Sequence, residues 1–369
     1  MHRLHRMSRS HGLALLLVGA SVACVVTGCS DPIEAPADYL NAEYYSGSEP
    51  ELRHLQGVPS ARFGTPHLGI WQSRRLVTDD LDEETAEAVG LEEGQSFTAA
   101  SGYEFLIAVL VGTDEGAGAE DGVTPSIALV AGAETLELTR LPSTYFDRLV
   151  VIASVPVGEP VTLQVDDAGQ IVTWDLREAD YAADPVSQRA AIYGGGHEEP
   201  RVGGVETTTG QVRLPASTDG LIPEQMGDLI VGLDLATATF RVSPYVIGLG
   251  WAPADTMWAE VFGFTVTYES ELISVAPGIL SVNEPAAAYS MTTADGQVYP
   301  LAAGNTALDT VQLPFDTPYV VFAVRFGFIG GTFTVAPQAP INGLGTSGNA
   351  QTASWTQIPP PLTLAVKIT

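Results

Sequence analysis

Short apolar runs dominate the chain after residue 50 and are separated by glycine, proline and aspartate. In residues 170–176 the alternation is strict, so that Val172, Trp174 and Leu176 fall on one face of a predicted strand. A period of two residues is typical of a strand that is buried on one side. Residues 103–111 are apolar at almost every position, which indicates a strand that is covered on both faces. The pattern therefore predicts an all-β protein.

One segment, residues 78–90, departs from this pattern. It offers Thr78 or Asp79 as an N-cap, places acidic residues in the first turn and ends at Gly90. Acidic side chains stabilise the amino-terminal end of a helix through its dipole, and glycine commonly follows the last helical turn. We therefore expect one short helix in the first domain. The side chains expected to face the domain are those of Leu81, Thr85 and Ala88.

Prolines and glycines cluster between residues 179 and 206 and interrupt the succession of strands. We interpret residues 179–206 as a linker between a first domain, residues 51–178, and a second domain, residues 207–369. The two halves also resemble each other, since residues 149–165 align without a gap with residues 319–335. A strand, a short Gly/Pro connection and a second strand predict a hairpin late in each domain. This pattern favours two similar β-sandwiches, with chance similarity between β-rich sequences as the alternative.

The amino terminus has the features of a secretory signal. Arg3, Arg6 and Arg9 precede an apolar run, residues 13–26, and no acidic residue lies near them. As a helix this run is roughly 22 Å long, whereas crossing the hydrocarbon core of a bilayer takes about 30 Å. A short apolar run behind basic residues is typical of a signal peptide. The run leads into Val-Thr-Gly-Cys at residues 26–29.

Small residues directly before a cysteine resemble the lipobox of bacterial prolipoproteins. The resemblance implies that a signal peptide, residues 1–28, is cleaved between Gly28 and Cys29. It also implies that Cys29 receives a diacylglycerol on its sulfur and an acyl chain on its new amino group, and several acyl chains hold a protein durably at a membrane. Ser30 stands where an aspartate commonly retains Gram-negative lipoproteins in the inner membrane, which favours the outer membrane. The alternative is an ordinary signal peptide cut near Ala23, or an uncut anchor.

Residues 29–50 mix proline, alanine, serine, glycine and acidic residues without an apolar period. This composition predicts a lipidated amino terminus followed by a flexible tether. About 20 residues of random coil have a root-mean-square reach of about 25 Å. We therefore expect the first domain to stand clear of the lipid headgroups.

The strand–turn–strand pattern over most of residues 51–369 resembles the immunoglobulin-like sandwich modules of many bacterial surface proteins. The cysteine pair of antibody domains is missing, and Trp174 or Trp258 is the candidate for the core tryptophan of such a domain. The resemblance implies two tandem immunoglobulin-like β-sandwiches after the signal peptide and the tether.

The composition excludes several kinds of partner and site. The chain carries 16 basic and 44 acidic residues, a formal charge of −28, and removal of residues 1–28 leaves 13 basic residues and a charge of −31. Nucleic acid is therefore not expected as a partner, because phosphate binding needs clustered Lys and Arg. Both cysteines lie at or before the processing site, so a disulfide framework and a thiolate metal site are excluded in the mature chain. We interpret the excess of acidic residues as a solvated surface whose charge repulsion keeps the protein soluble. Binding of divalent cations is the alternative explanation of this excess.

Two loops have a composition that is found in functional sites. The segment Gly194-Gly195-Gly196-His197-Glu198-Glu199 lacks the second histidine of a zinc-binding helix, and we interpret it as part of the acidic linker. The loop of residues 114–122 carries four carboxylates between flexible glycines, which suits oxygen ligands of Ca²⁺, although a solvated hairpin tip explains it equally. The four candidate ligands are Asp114, Glu115, Glu120 and Asp121. No other cofactor is expected, and no catalytic residue is proposed.

The sequence analysis thus favours a non-catalytic binding or structural module that is anchored in the cell envelope and contacts a protein or a glycan. Trp251 and Trp355 lie near predicted loops and are the candidates for an exposed binding surface. One alternative is an envelope hydrolase, which a cleft holding His67 or His197 beside carboxylates would favour. The other is a surface spacer that Ca²⁺ stiffens.

Overall fold

A computed structural model describes the chain over residues 32–46, 55, 58–91, 94–112, 122–138, 147–195, 201–205, 210–218, 227–234, 238–270, 275–282, 289–302, 319–336, 341–345 and 350–368. This described part is predominantly β, with 58% strand, arranged in several sheets, and 8% helix. The prediction of a β-protein is confirmed at this level.

The described residues of the first half form three sheets. In order across each sheet, they are a central sheet β2-β10-β7-β4-β3, an outer sheet β13-β12-β11-β8-β9 and a cap sheet β1-β6-β5. The strands are β1 (Ile33–Glu34), β2 (Leu40–Ser46), β3 (Ala61–Thr65), β4 (Gly69–Thr78), β5 (Asp80–Leu81), β6 (Phe97–Thr98), β7 (Tyr103–Gly112), β8 (Ser126–Ala131), β9 (Glu134–Leu138), β10 (Asp147–Pro156), β11 (Val161–Asp167), β12 (Gln170–Asp175) and β13 (Asp180–Tyr181). Two helices, α1 (Glu83–Ala88) and α2 (Pro185–Ala190), and a 3-10 helix (Ala191–Gly195) complete this half.

The central sheet is buried on both faces, as the apolar run of β7 predicted. Leu106, Ala108 and Leu110 pack towards the outer sheet. Phe105 and Ile107, together with Val109, pack on the other face with residues of α1 and the cap sheet. The prediction for β12 is also confirmed, since Val172, Trp174 and Leu176 are buried whereas Ile171 is exposed. The first half therefore has three layers rather than the two of a simple sandwich.

Helix α1 is shorter than the sequence analysis predicted. Its N-cap is Asp82, not Thr78 or Asp79, and the Asp82 carboxylate accepts a hydrogen bond from the Thr85 N–H at 2.8 Å. The residues before it pair as β5 with β6, which satisfies their backbone groups in a sheet. The three side chains predicted to face the domain, Leu81, Thr85 and Ala88, are buried.

The second half is built around an eight-stranded sheet in the order β24-β23-β26-β29-β14-β17-β20-β25. The edges of this sheet approach each other, since Leu301 bridges Phe322 and the Ala302 N–H donates to the Val321 carbonyl at 3.0 Å. A six-stranded sheet, β21-β16-β15-β28-β27-β22, and the β18-β19 hairpin are the other sheets described here. The strands are β14 (Arg201–Val205), β15 (Gly210–Thr218), β16 (Gly227–Asp234), β17 (Thr239–Ser243), β18 (Tyr245–Val246), β19 (Gly250–Trp251), β20 (Thr256–Phe262), β21 (Thr265–Ser270), β22 (Val275–Val282), β23 (Tyr289–Thr292), β24 (Val298–Pro300), β25 (Tyr319–Arg325), β26 (Gly330–Val335), β27 (Ile341–Gly345), β28 (Ala350–Trp355) and β29 (Leu362–Ile368).

Two segments assigned to connections in the sequence contain regular structure. Residues 33–46 of the predicted tether form β1 and β2, and β2 pairs with β10 over its whole length. Residues 180–195 of the predicted linker form β13, α2 and the 3-10 helix, with Tyr181 and Ala190 in the core of the first half. Proline misled the interpretation, because Pro185 occupies the first turn of α2, where its missing N–H and fixed φ suit a helix.

Seven strands occur in the same spatial order in both halves. β9-β8-β11-β12 and β4-β7-β10 in the first half correspond, strand by strand in sequence, to β24-β23-β26-β29 and β17-β20-β25 in the second. The alignment of residues 149–165 with 319–335 superposes β10-β11 on β25-β26. The predicted hairpins are wrong, because β10 and β11 lie in different sheets and β25 and β26 are not neighbours in theirs. The shared order supports the similarity of the two halves all the same.

Candidate functional site

The sequence predicted several site residues that lie outside the described residues. They are Gly28 and Cys29 of the processing site, the four acidic residues of the loop (Asp114, Glu115, Glu120 and Asp121), and His197. Trp251 and Trp355 lie within the described part. Trp355 is half-buried and packs against the apolar core of the second half. Trp251 is also half-buried and belongs to a polar cluster between the halves of the chain.

This cluster, which we call the junction, starts from a turn and a hairpin of the first half. The turn joins β3 to β4 and carries Thr65 and His67, both buried. The hairpin joins β11 to β12 through two residues with positive φ, Ala168 and Gly169. Two central residues with positive φ match the twist of paired strands, and the turn therefore holds Asp167 at the last position of β11. Asp167 is fully buried.

Asp167 binds both ends of the turn that faces it. One carboxylate oxygen, Oδ2, accepts from the Thr65 hydroxyl and from the His67 backbone N–H, the latter at 2.9 Å. The other oxygen, Oδ1, contacts Nδ1 of the His67 ring. A carboxylate acts only as an acceptor, so this contact is a hydrogen bond in the tautomer that carries its proton on Nδ1. Several donors converge on one buried carboxylate, which compensates for its loss of hydration.

The second half of the chain completes the junction with two aromatic residues. The Trp251 indole N–H donates to the Asp167 carbonyl oxygen at 2.8 Å and lies 3.2 Å from Oδ1. The Tyr245 ring meets the His67 ring edge to face, with 4.6 Å between centroids. β18 and β19 pair Tyr245 with Trp251, so one small hairpin presents both rings to the first half.

Arg189 on helix α2 makes a second set of contacts across the junction. It is 3% exposed, and its Nη1 donates to the carbonyl oxygens of Ala252 at 2.7 Å and Pro253 at 3.1 Å. Its guanidinium lies 5.7 Å from the Trp251 ring centroid, within the range of a cation–π interaction. Burial lowers the pKa of Arg189, and the nearby Asp255 opposes this shift. The buried guanidinium thus binds two backbone carbonyl groups of the second half.

Tyr193 links the junction to the ion pair between Arg241 and Glu260. Burial raises the pKa of Tyr193, which a hydrogen bond to Ser243 opposes and the charges of Asp167 and Glu260 reinforce. Glu260 is fully buried, and Arg241 donates to both of its oxygens at 2.7 Å. Such a bidentate pair is the strongest geometry for these two groups. The network of polar groups that begins at the junction therefore extends into the eight-stranded sheet.

The chemistry of the His67–Asp167 pair is limited by its burial. A histidine oriented by an aspartate is the arrangement of a general base in many hydrolases. Here, however, neither side chain has any solvent exposure, and the Tyr245 ring packs against the imidazole. A general base must come within hydrogen-bond reach of the proton that it removes from a substrate. In this geometry the pair is closed off from solvent and contacts Tyr245 and Trp251 of the second half.

Sequence analysis singled out His67 but missed Asp167, although a signal was present. Val161, Leu163 and Val165 are buried in β11, and a period of two places Asp167 on the same inward face. Arg189 had no comparable signal, since nothing in its local sequence indicates carbonyl acceptors that lie more than 60 residues away.

Within the described residues, no three or more His, Cys, Asp and Glu side chains are grouped in a way that suits a metal ion. No helix in this part of the chain combines the length and the hydrophobicity that crossing a membrane requires. No protein-family model, no curated protein and no solved structure matches the chain.

Proposed function

We propose that this protein is a lipid-anchored component of the cell envelope, placed in the outer membrane, that acts as a non-catalytic binding or structural module for a protein or glycan partner. The amino-terminal sequence supports the anchor, since basic residues, a short apolar run and Val-Thr-Gly-Cys at residues 26–29 stand in the order of a prolipoprotein signal. The observation that carries the non-catalytic assignment is the complete burial of the His67 and Asp167 side chains.

We further propose that each half contains an immunoglobulin-like sandwich. In immunoglobulin domains the first, second and fifth strands share one sheet and the third, sixth and seventh share the other. β4-β7-β10 and β8-β11-β12 follow this rule in the first half. The fourth strand, β9, pairs with β8 rather than with the fifth strand β10, which distinguishes it from the constant-type domain. Trp174 is buried and stacks on Phe63 with 5.2 Å between ring centroids, but it lies on the seventh strand, β12, whereas the core tryptophan of immunoglobulin domains lies on the third.

The surface we propose for partner binding is the loop between β28 and β29. Leu362 pairs with Val335 at one end of the eight-stranded sheet, whereas Ser243 and Thr256, near the junction, lie at the other end. This distal loop therefore points away from the first half. Its Ile358 is 95% exposed and is followed by three prolines, which hold the loop extended.

The anchor is tested by replacing Cys29 with alanine and following the protein through detergent phase partitioning. We expect the native protein in the detergent phase and Cys29→Ala in the aqueous phase. Lys367 is the only lysine of the chain, so the mature protein with an acylated amino terminus should take up amine-reactive label at a single site. Detergent partitioning that is unchanged in the variant would refute the anchor.

The binding role is tested by capture from an envelope extract with immobilised Cys29→Ala protein. We expect Ile358→Ser to lose the captured partner and Ile171→Ser, at a position that is 56% exposed on the first half, to keep it. Equal capture by both variants would exclude the distal loop as the binding surface. Release of envelope fragments into solution by the native protein would instead favour the hydrolase.

A further inference from the structure

The start of the first strand limits how far the protein can stand from a lipid anchor. β1 begins at Ile33, four Cα–Cα steps after Cys29. Since consecutive Cα atoms are 3.8 Å apart, these steps span about 15 Å at most. The flexible tether predicted for residues 29–50 would have allowed a larger separation. The folded part must therefore begin close to the headgroups if Cys29 is lipidated, and this inference rests on that part of the proposed function.

β1 is fixed to the body of the first half by several hydrogen bonds. The Ile33 N–H donates to the Ser96 carbonyl at 3.0 Å, and the Ala35 N–H donates to the Thr98 carbonyl at 2.9 Å. The Ala99 N–H in turn donates to the Asp79 carbonyl at 2.8 Å. This chain of bonds places β1 beside Asp79, which directly follows the end of β4. The entry point of the chain is thus tied to one end of the central sheet.

The register of the central sheet places the junction at the opposite end. Thr78 pairs with Phe105 and Pro156 pairs with Tyr103 at the end near β1, which we call the anchor end. At the other end Trp71 pairs with Gly112, next to the turn that carries His67. The nine steps from Tyr103 to Gly112 in β7 separate these ends by about 30 Å at the usual rise of a strand.

We propose that the anchor end of the first half lies on the headgroup layer of the membrane that holds the acyl chains of Cys29, with the second half directed away from it. Three large apolar side chains are exposed at or near this end: Ile33 by 46%, Val77 by 39% and Val157 by 66%. The Val157 N–H donates to the Gly102 carbonyl at 3.1 Å, which places this residue beyond the end of β7. Exposed apolar side chains that enter the membrane interface add to the affinity that an acyl anchor provides.

The charge of the anchor end determines which lipid headgroups it can contact. Glu34, Asp79 and Asp80 are exposed there, while Arg177 is paired with Glu104 at 2.6 Å. Exposed carboxylates are repelled by an anionic surface, and this repulsion is screened by salt. The contact we propose therefore suits zwitterionic headgroups, and positive charge does not drive it.

Single-cysteine variants test this orientation, because the mature chain has no cysteine besides Cys29, whose thiol the anchor occupies. Glu34→Cys and Val157→Cys report on the anchor end, and Ile358→Cys reports on the distal loop. Each lipidated variant carries a fluorophore and is reconstituted into phosphatidylcholine vesicles with a headgroup-attached nitroxide quencher. We expect several-fold stronger quenching at residues 34 and 157 than at residue 358. Equal quenching at all three positions would overturn the proposal.

Two further measurements separate this inference from the anchor itself. If the labelled proteins fail to float with the vesicles, the lipid anchor is refuted; if they float and show uniform quenching, only the orientation is refuted. Insertion of twelve Gly/Ser residues between Pro32 and Ile33 should preserve flotation and reduce quenching at residue 157 several-fold. Quenching that persists after this insertion would show that the short link does not hold the anchor end at the membrane.

Discussion

Asp167 is the residue on which the junction depends most, because it accepts hydrogen bonds from both halves of the chain. Thr65 and His67 bind its carboxylate from the first half, and Trp251 reaches it from the second. A buried carboxylate with these donors has no water to replace them if one is lost. Asparagine at this position would turn an N–H group towards donors that now meet an oxygen.

We expect Asp167→Asn to lower the free energy of unfolding by about 3 kcal/mol, since replacing a buried carboxylate that accepts several hydrogen bonds leaves its donors unsatisfied. Urea denaturation followed by tryptophan fluorescence measures this loss. The matched control is Asp166→Asn at the neighbouring position, where an exposed carboxylate accepts the Gly169 N–H at 2.8 Å. Asparagine can make the same turn contact, so the control should stay within about 0.5 kcal/mol. Equal losses in the two variants would contradict a special role for Asp167.

For single residues, the sequence correctly predicted which way a side chain points but did not predict which residues it contacts. The period of two residues correctly predicted the inward faces of β7 and β12, because strand side chains alternate whatever lies opposite them. Continued through β11, the same period would have placed Asp167 inside. No local pattern indicates that its partners come from residues 65, 67 and 251, because those contacts depend on the way distant strands pack.

At the scale of elements, the two halves have the same strand order but join its two groups of strands in different ways. In the second half, β14 pairs with both β17 and β29 and so joins the two groups of strands. In the first half, β3 occupies the position of β14 beside β4, and the Tyr181 hydroxyl takes the place of a neighbouring strand. It accepts from the Gly64 N–H at 2.7 Å and donates to the Gly64 carbonyl at 3.0 Å. A Cβ at Gly64 would clash with the Gly69 carbonyl oxygen and would also lie 3.1 Å from Tyr193 Cβ, so a side chain does not fit there.

We expect Tyr181→Phe to destabilise the protein by about 2–4 kcal/mol, because it leaves a buried N–H and a buried carbonyl of Gly64 unpaired. The control is Tyr299→Phe, since Tyr299 has the same exposure, 7%, and its buried hydroxyl has no hydrogen-bond partner in the described part of the protein. Removing an unpaired buried hydroxyl should be neutral or stabilising by about 1 kcal/mol. Thermal unfolding of both variants measures the contrast. A neutral result for Tyr181→Phe would show that the hydroxyl does not join the two groups of strands.

The sequence predicted the existence of most elements better than their connections. The prolines of residues 179–206 suggested a linker, whereas Asp184 caps α2 and Pro185 begins it. The alignment of the two halves identified equivalent strands, β10-β11 and β25-β26, but not that each pair crosses between non-adjacent strands. Strand pairing depends on which apolar faces meet, and a single sequence gives the faces without giving their neighbours.

For the whole molecule, buried tyrosines make the free energy of unfolding decrease at alkaline pH. Burial raises the pKa of Tyr45 to about 12, assisted by Glu43 and Glu87, and burial also raises the pKa values of Tyr181 and Tyr193. In the unfolded chain these phenols ionise near pH 10. The contribution of each group is therefore complete below pH 10 and is lost as the pH rises towards its folded-state pKa.

We expect the free energy of unfolding to fall above pH 10, by up to about 1.4 kcal/mol per pH unit for each tyrosine that ionises only in the unfolded chain. Urea denaturation between pH 8 and 11.5, at constant ionic strength, measures the slope. Tyr45→Phe should remove part of the slope between pH 10 and 12. An unchanged slope in Tyr45→Phe would contradict the assignment of Tyr45 to this effect.

The pairing of β2 with β10 also determines how the molecule responds to mechanical load. Seven residue pairs join these antiparallel strands, from Leu40 opposite Ala153 to Ser46 opposite Asp147. Their hydrogen bonds lie perpendicular to the strands, so a force that pulls β2 along its own axis strains all of them together. Tension between the amino terminus and a partner held at the other end of the protein would thus meet shear resistance instead of opening one bond at a time.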